Sequence, residues 1–595
     1  MTIHSTSERS FRLASSDRTT FYPRIFGKRG VVTSHHYFSA DAGMDVMKSG
    51  GNAIDAAIAA TLVEGLLNPN MHTIGGECPI LIAPADGSEV ICINGNMAAP
   101  GKATPAAFRA RGVDAVPAEG ILAAGVPGAF GALIVAARRY GRKSFAELSA
   151  RALDLATNGF PVHAGLLRQH KFGIADNREK FLSQWPGSAS LYLCGGALPA
   201  EGSAMKNPAF ADMIHYLVAA ERSAGSTRDR GLQAVFDAFY KGDVAAKMVS
   251  FSDTNDGLLT RNDFDIFEIP IEKPVAIDFA GARIYKPGAW TQGPALLQTL
   301  SILKFFDLPS LGLNSTAYVH LVTEAMKLAF ADREQYYADP RHVDVPLAAL
   351  LSNDYGTLRS RLIDMRHASL EMRPGEPSRG SDLLPAERHH ARAPWGAGTV
   401  HVDAMDEEGN ACAFTPSGAW IKSAEVIPDL GFPLGNRLSN FYLGPSDHPN
   451  VVAPYKRPRT TISPTIVTRN GRPMIACGSM GGDQQDQWQI QFLLNRLVFK
   501  MPVQAAIEAP KFSSEHFPGF FAPHDSFPAR LRIEARVGEA TLTELDALGH
   551  DVSAAPDWSE GFILATERHD DGMLEAGCDP RGSKADVFPA AAVAW

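Results

Sequence analysis

The chain has 595 residues, a formal net charge of −9 and a pI near 6.1, and 45% of its residues are hydrophobic. This globular composition supplies a large apolar core, and because no cluster of Lys or Arg stands out, it argues against a nucleic-acid-binding protein. The first 29 residues lack the apolar stretch of a secretory signal, and no apolar run reaches the length that spans a membrane. We therefore predict a cytoplasmic protein without membrane contact.

Upstream of position 399 the sequence predicts mainly helices. Residues 1–29 are polar and predict a loose tail. Asn52 predicts the N-cap of a helix that begins at Ala53 and ends before Asn68-Pro69, where a proline disfavours helix. An apolar strand is predicted at Cys78–Ala83. Apolar residues at helical spacing predict further helices at Ala129–Tyr140, Phe145–Asn158, Ala209–Glu221, Leu296–Phe306 and Ala317–Tyr337.

Downstream of position 399 the sequence predicts antiparallel strands. One hairpin joins Val400–Met405 to Ala411–Thr415, and a second joins Thr465–Thr468 to Met474–Cys477 around Asn470-Gly471. Helices are predicted again at Trp488–Leu497 and Ala540–Leu548. Helices that flank mostly antiparallel strands predict an α+β fold, a four-layer αββα sandwich that forms one large domain.

The residue with the most chemical interest is Thr399, which follows Gly398 where a polar, proline-rich stretch (Arg366–Pro394) gives way to a predicted strand. If the bond from Gly398 were cut, Thr399 would carry a nucleophile and a base on one residue. These are its hydroxyl and its α-amino group, whose reference pKa is about 7.7–8.0.

Two other segments favour the same chemistry, although each has an ordinary explanation. Gly478 to Gly482 follows an apolar strand, and consecutive glycines there let backbone N–H groups point at an oxyanion; a tight turn is the alternative. Thr460 to Thr465 contains four hydroxyl residues, which either orient a substrate carboxyl and the nucleophile or are ordinary strand and turn residues. A serine-hydrolase elbow is excluded because Cys477 occupies the first glycine position of its motif.

No cofactor or metal is predicted. The adjacent pairs His35-His36 and His389-His390 do not match a zinc-binding spacing. The sequence also lacks a P-loop and a GxGxxG motif after a strand, so it gives no sign of a nucleotide cofactor.

Together these motifs resemble the γ-glutamyltransferase (γ-glutamyltranspeptidase) family of N-terminal nucleophile hydrolases, from Gly30 to nearly the end of the chain. The resemblance is specific because many motifs occur in the same order. They are Gly50–Ala57, Gly75-Gly76, Gly125–Gly128, Glu324 through Asp332-Arg333 to Pro340, Thr399-x-His401, Asp406 through Ala411, Pro458 through Thr465, Gly478 through Gly482, and Asp579-Pro580-Arg581.

The resemblance implies an αββα fold and self-cleavage before Thr399. The tail (1–29) and the large subunit (30–398) would then remain associated with the small subunit (399–595), and the resemblance allows a homodimer of these processed heterodimers. Thr399 would be both the processing residue and the catalytic nucleophile towards a small-molecule amide. Ser417 falls where the family has a second threonine that orients the nucleophile. Gly481 and Gly482 match the oxyanion-hole pair, and Thr460 and Thr461 match a serine pair that holds the donor's α-carboxylate.

The positions that recognise a γ-glutamyl group depart from the family pattern. Asn96 stands where typical members have an arginine for the α-carboxylate, and Asn440 stands where they have an acidic residue for the α-ammonium. An asparagine cannot supply either full charge. Ala419 replaces an asparagine, and Arg437 adds a charge to the same segment, where it either holds a donor carboxylate or forms a surface salt bridge.

Because a charge-assisted hydrogen bond contributes about 1.5–3 kcal/mol, these losses predict weak γ-glutamyl binding. Our hypothesis is an amidase or acylase with altered donor specificity, as in the oxamate amidohydrolases and cephalosporin acylases of this family. One alternative is an ordinary glutathione hydrolase and transpeptidase. Another is an uncleaved, non-catalytic relative that serves as a binding or structural protein.

Overall fold

Two seven-stranded sheets form the centre of the computed structural model, which describes residues 20–225, 227–377, 380–381, 398–584 and 588–595. The strands of the described residues are β1 (Ile25–Gly27), β2 (Gly30–Ser34), β3 (Ile80–Ala83), β4 (Ile91–Ile93), β5 (Phe160–Pro161), β6 (Ala204–Met205), β7 (Ile271–Glu272), β8 (Val275–Phe279), β9 (Ala282–Lys286), β10 (Gly375–Glu376), β11 (Gly380–Ser381), β12 (Val402–Asp406), β13 (Ala411–Phe414), β14 (Val426–Ile427), β15 (Phe432–Pro433), β16 (Thr465–Arg469), β17 (Arg472–Ser479), β18 (Phe512–Ser514), β19 (Arg530–Glu534), β20 (Asp551–Ala555), β21 (Ile563–Arg568), β22 (Leu574–Cys578) and β23 (Ala591–Ala594).

The two large sheets are antiparallel throughout. The first has the order β1-β22-β21-β17-β16-β9-β8, and the second has the order β23-β2-β12-β13-β3-β4-β7. Apolar side chains from both sheets meet between them, among them Val31 and Met405 from one sheet and Ile466 and Ala576 from the other. The sheets therefore stack face to face, as in a β-sandwich.

Helices cover the outer face of each sheet. The helices are α1 (Tyr37–Lys48), α2 (Ala53–Leu67), α3 (Pro105–Arg109), α4 (Ala129–Tyr140), α5 (Phe145–Asn158), α6 (Ala164–Arg168), α7 (Ile174–Gln184), α8 (Pro186–Tyr192), α9 (Pro208–Ser223), α10 (Arg228–Tyr240), α11 (Asp243–Thr254), α12 (Arg261–Asp265), α13 (Gly293–Leu303), α14 (Leu308–Leu311), α15 (Thr316–Tyr336), α16 (Leu347–Leu350), α17 (Asn353–Ser360), α18 (Gln484–Leu497), α19 (Val503–Glu508), α20 (Glu539–Ala547) and α21 (Arg581–Lys584). Helices α1 and α2 pack on the second sheet, whereas α13, α18 and α19 pack on the first. The predicted four-layer αββα sandwich is confirmed.

The predicted helices agree closely with the observed ones. Helices α4 and α5 have the predicted bounds, and α2 begins after Asn52, whose side chain accepts from the Asp55 N–H in a capping box. Both predicted hairpins are present, as β12 with β13 and β16 with β17. Helix α18 begins at Gln484, four residues before the predicted Trp488.

The predicted tail needs a correction at its C-terminal end. Residues 1–19 lie outside the described residues, but β1 pairs with β22 from Ile25 to Gly27 and so belongs to the first sheet. Most of the predicted exposed loop from Arg366 to Pro394 also lies outside the described residues. None of the helices in the described ranges combines the length and the apolarity that crossing a membrane requires.

Candidate active site

Thr399 lies just before β12, where the chain runs beside Ser417. The two residues form an isolated antiparallel bridge, and both side chains are buried. The Thr399 hydroxyl oxygen is 2.7 Å from the carbonyl oxygen of Gly398 and 2.9 Å from Ser417 Oγ. Ser417 Oγ donates to the same Gly398 carbonyl at 2.7 Å. Two hydroxyls therefore flank the peptide carbonyl that precedes Thr399.

A buried ion pair supports Ser417. The Arg437 guanidinium donates to Ser417 Oγ through Nη2 and lies against the Glu77 carboxylate through Nε. Burial lowers the pKa of Arg437 and raises the pKa of Glu77, and in each case the facing partner opposes the shift. Since Ser417 accepts from the guanidinium, its own proton is available to the Gly398 carbonyl or to Thr399. The positive charge of Arg437 makes that proton a stronger hydrogen-bond donor.

The Gly75-Gly76 motif lets the backbone of Glu77 lie directly beside Ser417. A Cβ atom on Gly76 would lie 2.9 Å from the Gly418 carbonyl oxygen, so a side chain there would displace the backbone beside Ser417. With no side chain at residue 76, the backbone of Glu77 pairs with Ser417 in both directions at 2.9 Å. Thr460 then donates to the Glu77 carboxylate at 3.1 Å.

Gly481 and Gly482 form the turn between β17 and α18. Their φ angles are +120° and +59°, and a Cβ atom on Gly481 would lie 2.5 Å from the Trp488 ring, so the turn requires glycine. When the Gln485 side chain donates to the Ser479 carbonyl at 3.0 Å, its oxygen accepts from the Gly482 N–H at 3.3 Å. The Gly482 N–H thus has one long internal hydrogen bond, at the positive end of a helix.

Comparisons with known proteins agree with this geometry. The family model described as gamma-glutamyltranspeptidase matches residues 39–588. The chain belongs to this family. It is 30% identical over 572 residues to the glutathione hydrolase-like YwrD proenzyme of Bacillus subtilis, covering 95% of this chain and 99% of the relative. It is also 30% identical to the acylase ACY 1 proenzyme of Pseudomonas sp., over 93% of this chain and 92% of the relative.

A solved structure described as LmbA2991HD has the same fold, with a TM-score of 0.89, 36% sequence identity, and coverage of 96% of this chain and 99% of that chain. As a γ-glutamyltranspeptidase family member, the chain is an enzyme of the N-terminal nucleophile hydrolase class. This agrees with the prediction from sequence.

The residues at the family's donor-binding positions differ from one another in their hydrogen bonds. Asn96 donates to the Pro458 carbonyl at 2.7 Å and accepts from the Met97 N–H at 2.8 Å, so backbone groups use both ends of its amide. Thr461 Oγ1 lies 3.5 Å from the Gln485 side-chain amide. Asn440 is buried, and neither polar atom of its side chain has a hydrogen-bond partner among the described residues.

Arg437 does not form the surface salt bridge that was one of the two predictions for it. Its side chain is 1% exposed and its ion pair with Glu77 is fully buried. Its cation also lies over the ring of Trp420, with 4.8 Å between the guanidinium carbon and the ring centroid. The guanidinium is thereby held between the Ser417 hydroxyl, a carboxylate and an aromatic face.

A cavity of about 240 Å³ opens beside these residues. Gly481 and Gly482 line it, and so does Trp420, whose indole nitrogen is 2.7 Å from the place where a Cβ atom on Gly398 would lie. Its wall combines aromatic and apolar side chains with polar and charged ones. The apolar lining includes Trp420, Phe517, Phe520, Phe521, Pro523 and Phe527, and the polar lining includes Lys422, Ser423, Asn436 and the carboxylates Glu119, Asp483, Glu515 and Asp525.

Sequence reasoning missed three residues of this site. Glu77 directly follows the Gly75-Gly76 motif, but nothing in the local sequence indicates that its partner is Arg437. Trp420 and Lys422 stand only a few residues after Ser417, and their proximity to a predicted site residue was the available signal.

One group of possible metal ligands exists among the described residues, and none of its members lines the cavity. Atoms of His320, Glu324 and His550 lie within 4.8 Å of one another. Glu324 already pairs with Lys327 at 2.6 Å and with Arg373 at 3.1 Å, and the two imidazoles hydrogen-bond to each other at 2.8 Å. Two cations on the carboxylate disfavour a bound metal ion, so the cluster does not fit one.

Proposed function

We propose that this protein is a self-cleaving amidohydrolase and acyltransferase that forms an acyl-enzyme on Thr399. The convergence of the Thr399 and Ser417 hydroxyls on the Gly398 carbonyl carries the proposal, because it places a nucleophile beside the bond that must break. Membership of a family whose relatives include proenzymes supports it.

Self-cleavage follows from this geometry as an acyl shift. Thr399 Oγ attacks the Gly398 carbonyl carbon while Ser417, polarised by Arg437, donates to the carbonyl oxygen as it gains negative charge. The C–N bond breaks, the nitrogen takes a proton and becomes the α-amino group of Thr399, and an ester joins Gly398 to Thr399 Oγ. Water then hydrolyses the ester, which releases the Gly398 carboxylate and restores the hydroxyl.

Turnover of an amide donor repeats the same chemistry. The free amino group of Thr399 takes the hydroxyl proton, directly or through water, as the oxygen attacks the donor carbonyl. Backbone N–H groups at Gly481 and Gly482 stabilise the oxyanion, the amine leaves with a proton, and water or a second amine resolves the acyl-enzyme. In this proposal Ser417 keeps its hydrogen bond to Thr399 and orients the nucleophile.

The two fragments would stay together after cleavage. Strands β12 and β13 lie between β2 and β3 in the second sheet, and β16 pairs with β9 in the first. Separating residues 399–595 from the rest of the chain would therefore break both sheets and expose the layer between them. Whether the processed pairs form a homodimer stays a prediction, which light scattering measures.

For the donor, we propose an amide without the α-amino-acid head of a γ-glutamyl group. Asn96 is a neutral residue whose amide is used by the backbone, and Asn440 offers no charge to an ammonium group. The ordinary glutathione hydrolase remains the alternative, because the glutathione hydrolase-like relative and the acylase are each 30% identical to this chain.

Comparing wild type with Thr399→Ala tests this function. We expect the wild type to give two fragments on a denaturing gel and to release amine from an amide donor, and the variant to do neither. Rates with a γ-glutamyl anilide, oxamate and a glutaryl amide then separate the donors. A single intact chain in an active wild-type preparation would refute self-cleavage, and γ-glutamyl turnover that is faster by orders of magnitude would refute the altered donor.

A further inference from the structure

Lys422 lines the cavity beside Thr399 and takes no part in the proposed reaction. Lys422 follows Trp420 on the cavity wall, with its ammonium 3.8 Å from the Phe172 ring centroid and 5.4 Å from that of Trp420. Among the described residues, no carboxylate forms an ion pair with it and no acceptor takes a hydrogen bond from it. An ammonium group that lies between aromatic rings and forms no ion pair within the protein is suited to bind an anionic ligand.

The charges around Lys422 favour an anion. Glu119 is the carboxylate that attracts Lys422, but Glu119 already pairs with Lys180 at 2.6 Å. Burial lowers the pKa of Lys422 to about 8, and Lys180, Lys171 and Arg437 add to the shift while Glu119 opposes it. A ligand carboxylate would therefore relieve an excess of positive charge at this end of the cavity.

No other carboxylate of the cavity wall forms an ion pair with Lys422 in the described residues. Asp483 pairs with Arg333 at 2.5 Å and also accepts from a backbone N–H. Burial raises the pKa of Glu515, against the influence of two nearby arginines. Asp525 also lines the cavity and forms no ion pair with Lys422. None of them replaces an external anion at Lys422.

Two polar atoms on the same wall also have no partner. Ser423 Oγ and Asn436 Oδ1 are buried, and neither makes a hydrogen bond among the described residues. Buried polar atoms are normally paired, so unpaired atoms on residues of the cavity wall indicate that bound water or a ligand supplies their partner. Ser423 directly follows Lys422 in the chain.

The size and lining of the cavity indicate the rest of the ligand. An apolar cavity of about 150 Å³ is enough to bind benzene, so about 240 Å³ accommodates an aromatic ring with a substituent. The rings of Trp420 and Phe521 are tilted, with centroids 6.0 Å apart, and present aromatic faces and edges to such a ring.

We propose that the donor is an amide of an aromatic carboxylic acid that carries a second, anionic carboxylate, and that Lys422 binds this carboxylate. The inference rests on the proposed function for its chemistry, but the cavity's preference for such a ligand is measurable without turnover. Lys422 would then determine specificity, while Thr399 and Ser417 perform the reaction.

A matched pair of probes tests the proposal. We would compare the 4-nitroanilides of 4-carboxyphenylacetic acid and of its neutral 4-carbamoyl analogue, which differ only in the charge of one group. The wild type should show a kcat/KM at least about tenfold higher for the charged anilide, the effect of one charge-assisted hydrogen bond. Lys422→Gln should lose this preference, so that its kcat/KM values for the two anilides become about equal, whereas Lys422→Arg should retain most of it. Lys171→Gln, a change in an exposed cation nearby, should retain it as well.

Calorimetric binding of the corresponding primary amides separates this proposal from the proposed function. A protein that binds the charged amide through Lys422 but never cleaves itself would refute the reaction and support the cavity assignment. Equal affinity for the two amides, no binding of either, or an unchanged preference in Lys422→Gln would overturn the cavity assignment, whatever the protein's activity.

Discussion

Replacing Ser417 with alanine tests the arrangement that precedes cleavage. The substitution removes a hydroxyl that donates to the Gly398 carbonyl at 2.7 Å, the bond that would strengthen as this oxygen becomes an oxyanion. Loss of one such donor slows comparable reactions by about 10²–10³-fold. Ser417 already donates to this carbonyl before the reaction. Its removal therefore raises the activation barrier only by the amount by which the hydrogen bond strengthens in the transition state. We therefore expect self-cleavage to slow by about 10²-fold.

Timed samples from cell-free translation, separated on a denaturing gel, would give the first-order rate of cleavage. Ser417→Thr is the matched control, because it keeps the hydroxyl and should cleave at close to the wild-type rate. The alanine variant also leaves an Arg437 N–H without its acceptor, at a cost of about 1–3 kcal/mol, so its unfolding must be measured in parallel. A folded Ser417→Ala protein that cleaves within threefold of the wild-type rate would refute the reasoning.

Three further outcomes follow from the same site. Glu77→Gln leaves a buried arginine without its counter-charge, so the free energy of unfolding should fall by about 3–5 kcal/mol in urea denaturation; a change below about 1 kcal/mol would contradict the ion pair. Gly481→Ala places a Cβ atom 2.5 Å from the Trp488 ring, so amine release from any amide donor should fall at least about tenfold, and a wild-type rate would exclude the turn from the site. For the charged and the neutral anilide alike, kcat/KM should rise with pH as the Thr399 amino group loses its proton. For an anionic donor alone, it should fall again as Lys422, with a pKa of about 8, loses its charge; the same descending limb with a neutral donor would exclude Lys422 as its cause.

Local signals in the sequence were enough to predict most of the fold. The helix that begins at Ala53 has a capping box formed by Asn52 and Asp55, and such a cap is visible in three or four residues. Helix α18 has no capping side-chain bond at its start, and its first turn was missed for that reason. The strand Ile25–Gly27 was missed because it is a short edge strand whose partner lies near the other end of the chain.

The site was predicted only in part, because its chemistry depends on contacts between distant segments. Thr399, Ser417 and the glycine pair belong to ordered motifs, so the sequence was enough to select them. No local pattern indicates that Arg437 pairs with Glu77, or that backbone groups occupy the Asn96 amide. The cavity could not be predicted from local sequence either, because loops far apart in the chain supply its aromatic wall.

Trapping the acyl-enzyme tests the central claim most directly. An active preparation would be mixed with an amide donor, quenched in acid during turnover, digested and mapped by mass spectrometry. We predict a peptide that begins at Thr399 and carries the donor's acyl group on that residue. An acyl group on any other residue, or turnover by a protein in which the bond between Gly398 and Thr399 is intact, would contradict the account.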